Sequence, residues 1–310
     1  MSTTNTWYQQ SLVSIADLSK EDINIFLKQA HVLKQKKAPN ALSDKIISHC
    51  FFEASTRTRL SFEAASNRLG AKVIGFSDPS HTSYEQKGES LSDTLKVIGS
   101  YSDAMVLRTP QAGAARLASE ILDIPVINAG DGGNQHPTQT LLDLYAIYQT
   151  QGSLEGLNIA FVGDLKYGRT VHSLVKACAM YDMRLFFIAP EHLSLPDHLC
   201  RDLRNKGVRF SCHDALEKIP QLDILYVTRL QKERFDPLEY KSIVQSFIIT
   251  PEILSKAKEN LKVLHPMPRV QEIDPRVDHT PYAYYFQQAK DGVLVRQAIL
   301  SLILQQELMA

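Results

Sequence analysis

Phe51-Phe52-Glu53-Ala54-Ser55-Thr56-Arg57-Thr58-Arg59-Leu60 is the stretch on which the reading of this chain turns. An apolar run, Ile46 to Phe52, feeds directly into Ser55-Thr56-Arg57-Thr58. A helical pattern follows, with Phe62, Ala65 and Leu69 on one face and Gly70 as its stop. A strand that passes straight into a helix start gathers unpaired backbone N–H groups, the positive end of the helix dipole and here several hydroxyls. Arg57 adds a planar fork of donors that suits a phosphate's oxygens. The stretch therefore predicts an anion cradle without the glycines of a P-loop. An isolated S-T-R-T would as readily be a Ser/Thr helix cap followed by surface arginines. The rest of the chain has to decide.

The chain has 310 residues, enough for two domains. Its residues are 44% hydrophobic and 22% charged, which places it among soluble globular proteins with ample core. Lys+Arg and Asp+Glu both total 34, so the net charge is zero. That argues against a nucleic-acid binder or an anionic-membrane binder, whose footprint would be a basic excess. Any cationic site must be local. Cys50, Cys178, Cys200 and Cys212 are scattered without a C-x-x-C pair, so neither a disulfide framework nor a zinc site is expected. A reducing, cytoplasmic setting fits that usage. Met1 to Gln10 is polar and predicts no secretory signal. No apolar run approaches the roughly 20 residues that cross a bilayer. Val293 to Leu304, interrupted by Arg296 and Gln297, reads as a buried amphipathic helix. No H-x-x-x-H or other paired metal spacing is present, so metal catalysis is not expected, and no G-x-S-x-G nucleophile elbow is present either.

Along the chain, Ser14 to Lys37 reads as mostly helical. After the opening strand and cradle, Lys72 to Phe76 reads as a strand and Ser77 to Gly88 as a polar loop carrying Ser83 and Lys87. Helix is expected over Gly88 to Ser100, strand over Ala104 to Arg108, helix over Pro110 to Leu122 and strand over Pro125 to Ala129. His136-Pro137-Thr138-Gln139 opens a strong helix, with Pro137 at the favoured first position. It ends near Gln149 to Gly152, a domain boundary. A second series follows: strand Leu157 to Gly163, helix Arg169 to Met180, strands at 185–188, 224–227 and 263–264, then His265-Pro266-Met267-Pro268-Arg269 and a last helix from about Tyr284 to Leu308. Strands alternating with helices mean mostly parallel sheets flanked by helices, with ligands beyond the carboxyl ends of the strands.

Several cations fall at such ends. Arg108, Arg169 and Arg229 each stand at the end of an apolar strand or just beyond one. With Arg57 and Lys87, in a neutral chain, they suggest a cleft for a substrate with several negative charges. Spacing alone equally allows scattered surface ion pairs. Gly163-Asp164-Leu165-Lys166-Tyr167-Gly168-Arg169 follows a strand and opens a helix, but its spacing is wrong for a dinucleotide fingerprint. His136 could hydrogen-bond a substrate carbonyl or simply cap its helix. The prolines around Met267 stiffen a loop whose main-chain carbonyls could face a ligand, or a plain rigid turn.

Taken together, Ser55-Thr56-Arg57-Thr58-Arg59, Gly133-Asn134-Gln135-His136-Pro137-Thr138-Gln139, Val162 to Arg169, Thr228 to Arg234 and His265 to Arg269 resemble, in this order, the catalytic chains of the aspartate carbamoyltransferase family, within the aspartate/ornithine carbamoyltransferase superfamily. The resemblance runs essentially end to end. It implies an α/β fold of two domains, each a mostly parallel sheet flanked by helices, joined by interdomain helices. A carbamoyl-phosphate-binding domain would span 1–149 plus a returning C-terminal helix of about 286–310, and an aspartate-binding domain would span 150–285. The implied reaction is carbamoyl phosphate plus L-aspartate to N-carbamoyl-L-aspartate plus phosphate, an early step of pyrimidine synthesis that needs no covalent intermediate and no cofactor.

By the same resemblance, Ser55, Thr56, Arg57, Thr58 and Arg108 hold the phosphate. Thr58, Arg108 and His136 contact the carbamoyl oxygen, and Gln139 the amino group. Arg169, Arg229 and Gln231 bind the aspartate carboxylates, and Met267 contributes through its backbone, where the family usually has leucine. Ser83 and Lys87 match residues lent by a neighbouring subunit, which implies a homotrimer with shared active sites. Glu53 matches a residue that bridges to Arg169 and Arg234, and Glu239 one that reaches Lys166 and Tyr167. The resemblance leaves open whether regulatory chains join a larger assembly. Ornithine carbamoyltransferase shares the Ser-Thr-Arg-Thr-Arg cradle. It carries a cysteine in the loop matching His265 to Pro268 and a Ser-Met-Gly loop, and neither is present here. A non-catalytic scaffold with this fold is the remaining alternative, and the filled catalytic positions argue against it.

Overall fold

In a computed structural model, the residues described are 5–229 and 247–307. They divide into two compact units. One comprises the residues up to Leu142 together with those from Asp291 onward, and the other is Asp143–Lys290.

The first unit opens with α1 (Lys20–Gln35). The helix expected to begin at Ser14 is interrupted at Ser19. A 3-10 turn, Ile15–Asp17, precedes it, and Ser19 and Asp22 then exchange side-chain and backbone hydrogen bonds in a capping box. β1 (Ile46–Phe51), α2 (Thr56–Arg68) and β2 (Lys72–Phe76) follow as the apolar pattern predicts. The expected loop after β2 is partly helical. Its residues Ser83–Lys87 form a short helix, α3, anchored because Tyr84 lies edge-on to Phe52 at 5.3 Å. Next come α4 (Leu91–Gly99), β3 (Ala104–Thr109), α5 (Ala114–Ile121), β4 (Val126–Asp131) and the start of α6 (Pro137–Gln151), whose residues from Asp143 on belong to the second unit.

The strands pair in the order β2-β1-β3-β4, all parallel. Every residue of β3 and β4 is buried, as continuous apolar strands in a parallel sheet should be. Cys50, Phe52, Leu95, Met105, Leu107, Ala115, Ala118 and Val126 form one core cluster. Burying each of its larger side chains stabilises the fold by ~1.5–3 kcal/mol.

The second unit contains β5 (Asn158–Val162), α7 (Arg169–Cys178), β6 (Arg184–Ile188), α8 (Asp197–Asn205), β7 (Arg209–His213), β8 (Ile224–Val227), the short α9 (Pro251–Leu254) and β9 (Lys262–Leu264). Its sheet is also all parallel, in the order β7-β6-β5-β8-β9. The last helix, α10 (Tyr285–Leu304), starts in this unit and ends in the first. There Gln9 N–H donates to the Ile303 carbonyl at 2.9 Å and Asn5 Nδ2 to that of Leu302 at 2.7 Å. These bonds tie the early residues of the chain to its C-terminal helix. Among the described residues, no helix is long and apolar enough to cross a membrane.

His49, in the middle of β1, is buried beneath α2 with its Nε2 3.3 Å from Ser66 Oγ and its ring edge-on to Phe62. Burial lowers its pKa to about 4, with Arg59 acting in the same direction and Glu63 against it. Because the folded value lies below the unfolded one, native His49 stays neutral where the unfolded chain takes up a proton. Stability from this residue is complete above pH 6.5 and is lost as the pH falls toward 4. The full displacement is worth on the order of 3 kcal/mol. Urea unfolding of wild type and His49→Leu at pH 7 and pH 4.5 should show a smaller acid penalty in the variant. Equal acid sensitivity would contradict a neutral buried imidazole.

Candidate active site

In the first sheet the chain moves outward from β1 to β2, then crosses to the other side of β1 for β3 and β4. The order reverses between β1 and β3. Helices leaving those two strands go to opposite faces, and a crevice opens at their carboxyl ends. Adjacent strands are ~4.8 Å apart, so the ends of β1, β3 and β4 lie within about 10 Å.

The end of β1 carries the cradle. Ser55 occupies the cap position of α2 with extended backbone, yet its hydroxyl makes no capping hydrogen bond. The conventional reading of this serine as a helix cap is therefore not what the structure shows. Thr58, one turn in, is buried, while Thr56 and Arg57 are exposed. Arg59 is committed elsewhere, pairing with Glu63 at 2.7 Å along the helix. The first turn of α2 thus presents backbone N–H groups, hydroxyls and the Arg57 guanidinium at one edge.

β3 supplies Arg108, paired in register with Phe51. Only 8% of it is exposed, so its charge needs partners. Nη2 lies 2.8 Å from a Glu53 carboxylate oxygen and Nη1 donates to the Ala129 carbonyl at 3.0 Å. Glu53 thus sets a negative charge beside the Arg108 guanidinium.

β4 ends in Asp131, which sequence reasoning missed. Its carboxylate accepts from Asn128 Nδ2 and Gly113 N–H at 3.0 Å, and from Asn134 Nδ2 and Gln135 N–H at 2.9 Å. Gly132 N–H donates to the Thr109 carbonyl at 2.8 Å, which fastens the loop after β4 to the end of β3. The approach needs glycine: φ is +57° and a Cβ would lie 2.4 Å from the Pro110 carbonyl oxygen. The loop delivers His136 to the cap of α6, where its carbonyl accepts from Gln139 N–H at 3.0 Å and Thr140 N–H at 3.2 Å. The His136 ring is 5% exposed, and Gln139 is buried on the first turn. Ser83 and Lys87, the first and last residues of α3, are exposed, and neither side chain bonds to another described residue.

The second sheet reverses between β5 and β8. Gly163 follows β5 at φ +114°, and a Cβ there would sit 2.3 Å from the Thr228 carbonyl oxygen. Glycine lets the two strand ends close, as Thr228 N–H donates to the Val162 carbonyl at 2.8 Å. This is the physical role of the glycine that resembled a dinucleotide fingerprint. Buried Asp164 accepts from Tyr167 N–H at 3.0 Å and closes the turn that makes Arg169 the first residue of α7. Exposed Arg229 leaves the end of β8. Gln231, Arg234 and Glu239 lie outside the described residues.

Beyond β9, Met267 has φ +56° and a cis peptide bond to Pro268. His265 holds this loop from below. Its Nδ1 accepts from Met267 N–H at 2.7 Å, so Nε2 carries the proton and donates to Glu272 at 2.8 Å. Burial pushes the Glu272 pKa up, but the bonds from His265 and the backbone N–H groups win and hold it below the usual carboxylate range. Arg269 is structural: it binds Asp278 and donates to Tyr285 Oη at 3.0 Å. An open groove of about 620 Å³ along edge strand β7 lies away from the reversal of its own sheet. Its arginines are already engaged, Arg209 with Asp182 and Arg184 and Arg204 over phenylalanine rings.

Chemically, the first unit offers a dense set of donors for a phosphoryl group beside an arginine and an imidazole. The second offers two guanidinium groups at neighbouring strand ends, a pattern for a dicarboxylate. Residues 10–149 match the family model described as aspartate/ornithine carbamoyltransferase, carbamoyl-P binding domain, and residues 155–303 match the Asp/Orn binding domain of the same family. The chain is 56% identical over 305 residues to an aspartate carbamoyltransferase catalytic subunit of Shewanella halifaxensis, covering 98% of each. It is 56% identical to that of Aliivibrio fischeri, covering 98% of this chain and all of the relative. Among solved structures it is similar to the catalytic subunit of M. jannaschii aspartate transcarbamoylase (TM-score 0.89, 48% identity, 94% and 97% of the two chains). It is similar also to aspartate transcarbamoylase of Trypanosoma cruzi in complex with N-(phosphonacetyl)-L-aspartic acid (TM-score 0.91, 38% identity, 97% and 98%).

Two substitutions test this architecture without reference to any reaction. Asp131→Ala should raise hydrogen exchange at the Gly113 and Gln135 amides while β1 keeps its protection; unchanged exchange would remove Asp131 as the organiser of the loop. Gly163→Ala should cost ~1–3 kcal/mol of the second unit's stability. A neutral change would mean the strand ends can part freely.

Proposed function

The chain belongs to the aspartate/ornithine carbamoyltransferase family, and from that premise we propose that it transfers the carbamoyl group of carbamoyl phosphate to the amine of L-aspartate, giving N-carbamoyl-L-aspartate and phosphate. The observation that carries the reading is full-length likeness to catalytic subunits of that activity. The donor sets at the two strand-order reversals support it.

Ser55, Thr56, Arg57 and Thr58 take the phosphate at the start of α2, with Arg108 alongside. Thr58, Arg108 and His136 address the carbamoyl oxygen, and Gln139 the carbamoyl amino group. Arg169, Arg229 and Gln231 bind the two carboxylates of aspartate, and Met267 contributes main-chain contacts. Carbamoyl phosphate is a mixed anhydride and already activated, so the amine attacks the carbamoyl carbon directly, without a covalent enzyme intermediate. Negative charge builds on the carbamoyl oxygen, and donors fixed before the reaction stabilise it. Arg108 suits that task because Glu53 and the Ala129 carbonyl already hold its guanidinium. The departing phosphate accepts the amine's proton. In this reading Ser83 and Lys87 complete the site of a neighbouring copy in a homotrimer. The product feeds pyrimidine synthesis in the cytoplasm.

A colorimetric ureido assay with carbamoyl phosphate should show product from aspartate and none from ornithine; the reverse preference would overturn the reading. His136→Ala should lower kcat about 10²–10³-fold with little change in the KM for carbamoyl phosphate. Arg229→Ala should instead raise the KM for aspartate. A variant at position 136 with unaltered kcat would take the imidazole out of the transition state.

A further inference from the structure

The second unit contains a buried polar chain that the proposed reaction does not itself use. Asp143 on α6 is fully buried, and its two carboxylate oxygens face different strands' machinery. Oδ2 accepts from Tyr226 Oη on β8 at 2.8 Å, and Oδ1 accepts from Gln288 Nε2 on α10 at 2.7 Å. Gln288 Oε1 in turn accepts the backbone N–H of His265 at 2.9 Å. That last donor cannot change its sense, so the amide of Gln288 is oriented and Asp143 must accept. Burial, followed by the neighbouring Asp143 carboxylate, drives the Tyr226 pKa well up, so the phenol keeps the proton it donates. His265 carries the chain onward to Met267 N–H and Glu272.

Tyr226 lies three residues before Arg229, and His265 opens the loop holding Met267. One buried carboxylate therefore braces two strand ends of the same unit. A bulky non-glycine residue at positive φ persists only where its surroundings over-determine it, and Met267 is such a residue. We propose that Asp143, through Gln288 and the main chain of His265, is a positioning residue that sets the Met267 loop and the Arg229 strand end for the acceptor amino acid. The inference rests on the reading of those two residues as the aspartate side of the site.

Gln288→Glu tests it. The new side chain still accepts from His265 N–H but turns a second carboxyl toward Asp143. The KM for aspartate should rise about tenfold or more, since small displacements of positioning groups cost that much. The KM for carbamoyl phosphate should stay within about twofold, because its contacts lie in the other unit. Adding Asp143→Asn restores a donor facing an acceptor: the amide introduced at 143 donates to the carboxylate introduced at 288 and still accepts from Tyr226. The double variant should recover aspartate KM to within about threefold of wild type. Both KM values moving together, neither moving, or a double variant as impaired as the single one would overturn the inference. Should Gln288→Glu fail to fold, Tyr226→Phe, which deletes one donor to Asp143, is measured for the same selective rise. A wild-type chain that carbamoylates no aspartate would sink the functional reading itself; an active wild type with an unaffected variant would sink only the positioning role.

Discussion

A helix that leaves a parallel strand begins with backbone N–H groups that its own turns cannot satisfy. In both sheets of this chain those helix starts fall at the carboxyl edge, because every paired strand runs the same way. The edge is thus electropositive before any side chain is added. What the sequence adds at that edge is more donors rather than acceptors: hydroxyls at Ser55, Thr56 and Thr58, guanidiniums at Arg57, Arg169 and Arg229.

Glu53, Asp131, Asp143, Asp164 and Glu272 are carboxylates at or behind these strand ends, and most of them bind groups other than cations. Asp131 and Asp164 bind mainly amide N–H groups and set loop shape. Glu272 fixes the tautomer of His265, which fixes the loop of Met267. Glu53 meets a cation proposed to touch substrate, Arg108. A buried guanidinium without a partner would be expensive, and one locked between two buried carboxylates would have nothing left for a ligand. Arg108 avoids both extremes with one carboxylate that is itself partly exposed and one neutral carbonyl.

The strands β1, β3, β4, β5 and β8 and the helices α2 and α6 were legible because buried parallel strands and strong amphipathic helices are written in contiguous residues. β7 was not anticipated. It is an edge strand of half-exposed residues, and its pairing with β6 is a long-range event. α8 could have been found from Leu199, Cys200 and Leu203, which are buried at helical spacing. Arg108, Arg169 and Arg229 were legible as cations at or beyond the ends of apolar strands. The buried carboxylates that hold the neighbouring loops were not, since Asp131, Asp143 and Glu272 look like any surface carboxylates until the loops fold over them. The loop at His265 shows the difference most plainly. Its prolines pointed to a stiff backbone, whereas the histidine before them does much of the fixing through both ring nitrogens.

Exposure then separates the cations by how they respond to their surroundings. Arg229 stands in solvent, where salt screens its attraction over about 8–10 Å and a bound carboxylate gains modestly. Arg108 is nearly enclosed, so its field is screened much less and its geometry is set by its hydrogen-bonded strand register opposite Phe51 and by the Ala129 carbonyl. A group meant to stabilise charge that appears only in a transition state must already be in place and desolvated. A group meant to collect a dianion from solution must reach water. Under the proposed reaction those opposite demands fall to two arginines placed differently by the fold: Arg108 is the penultimate residue of a fully buried strand, and Arg229 is the second residue beyond its strand's end.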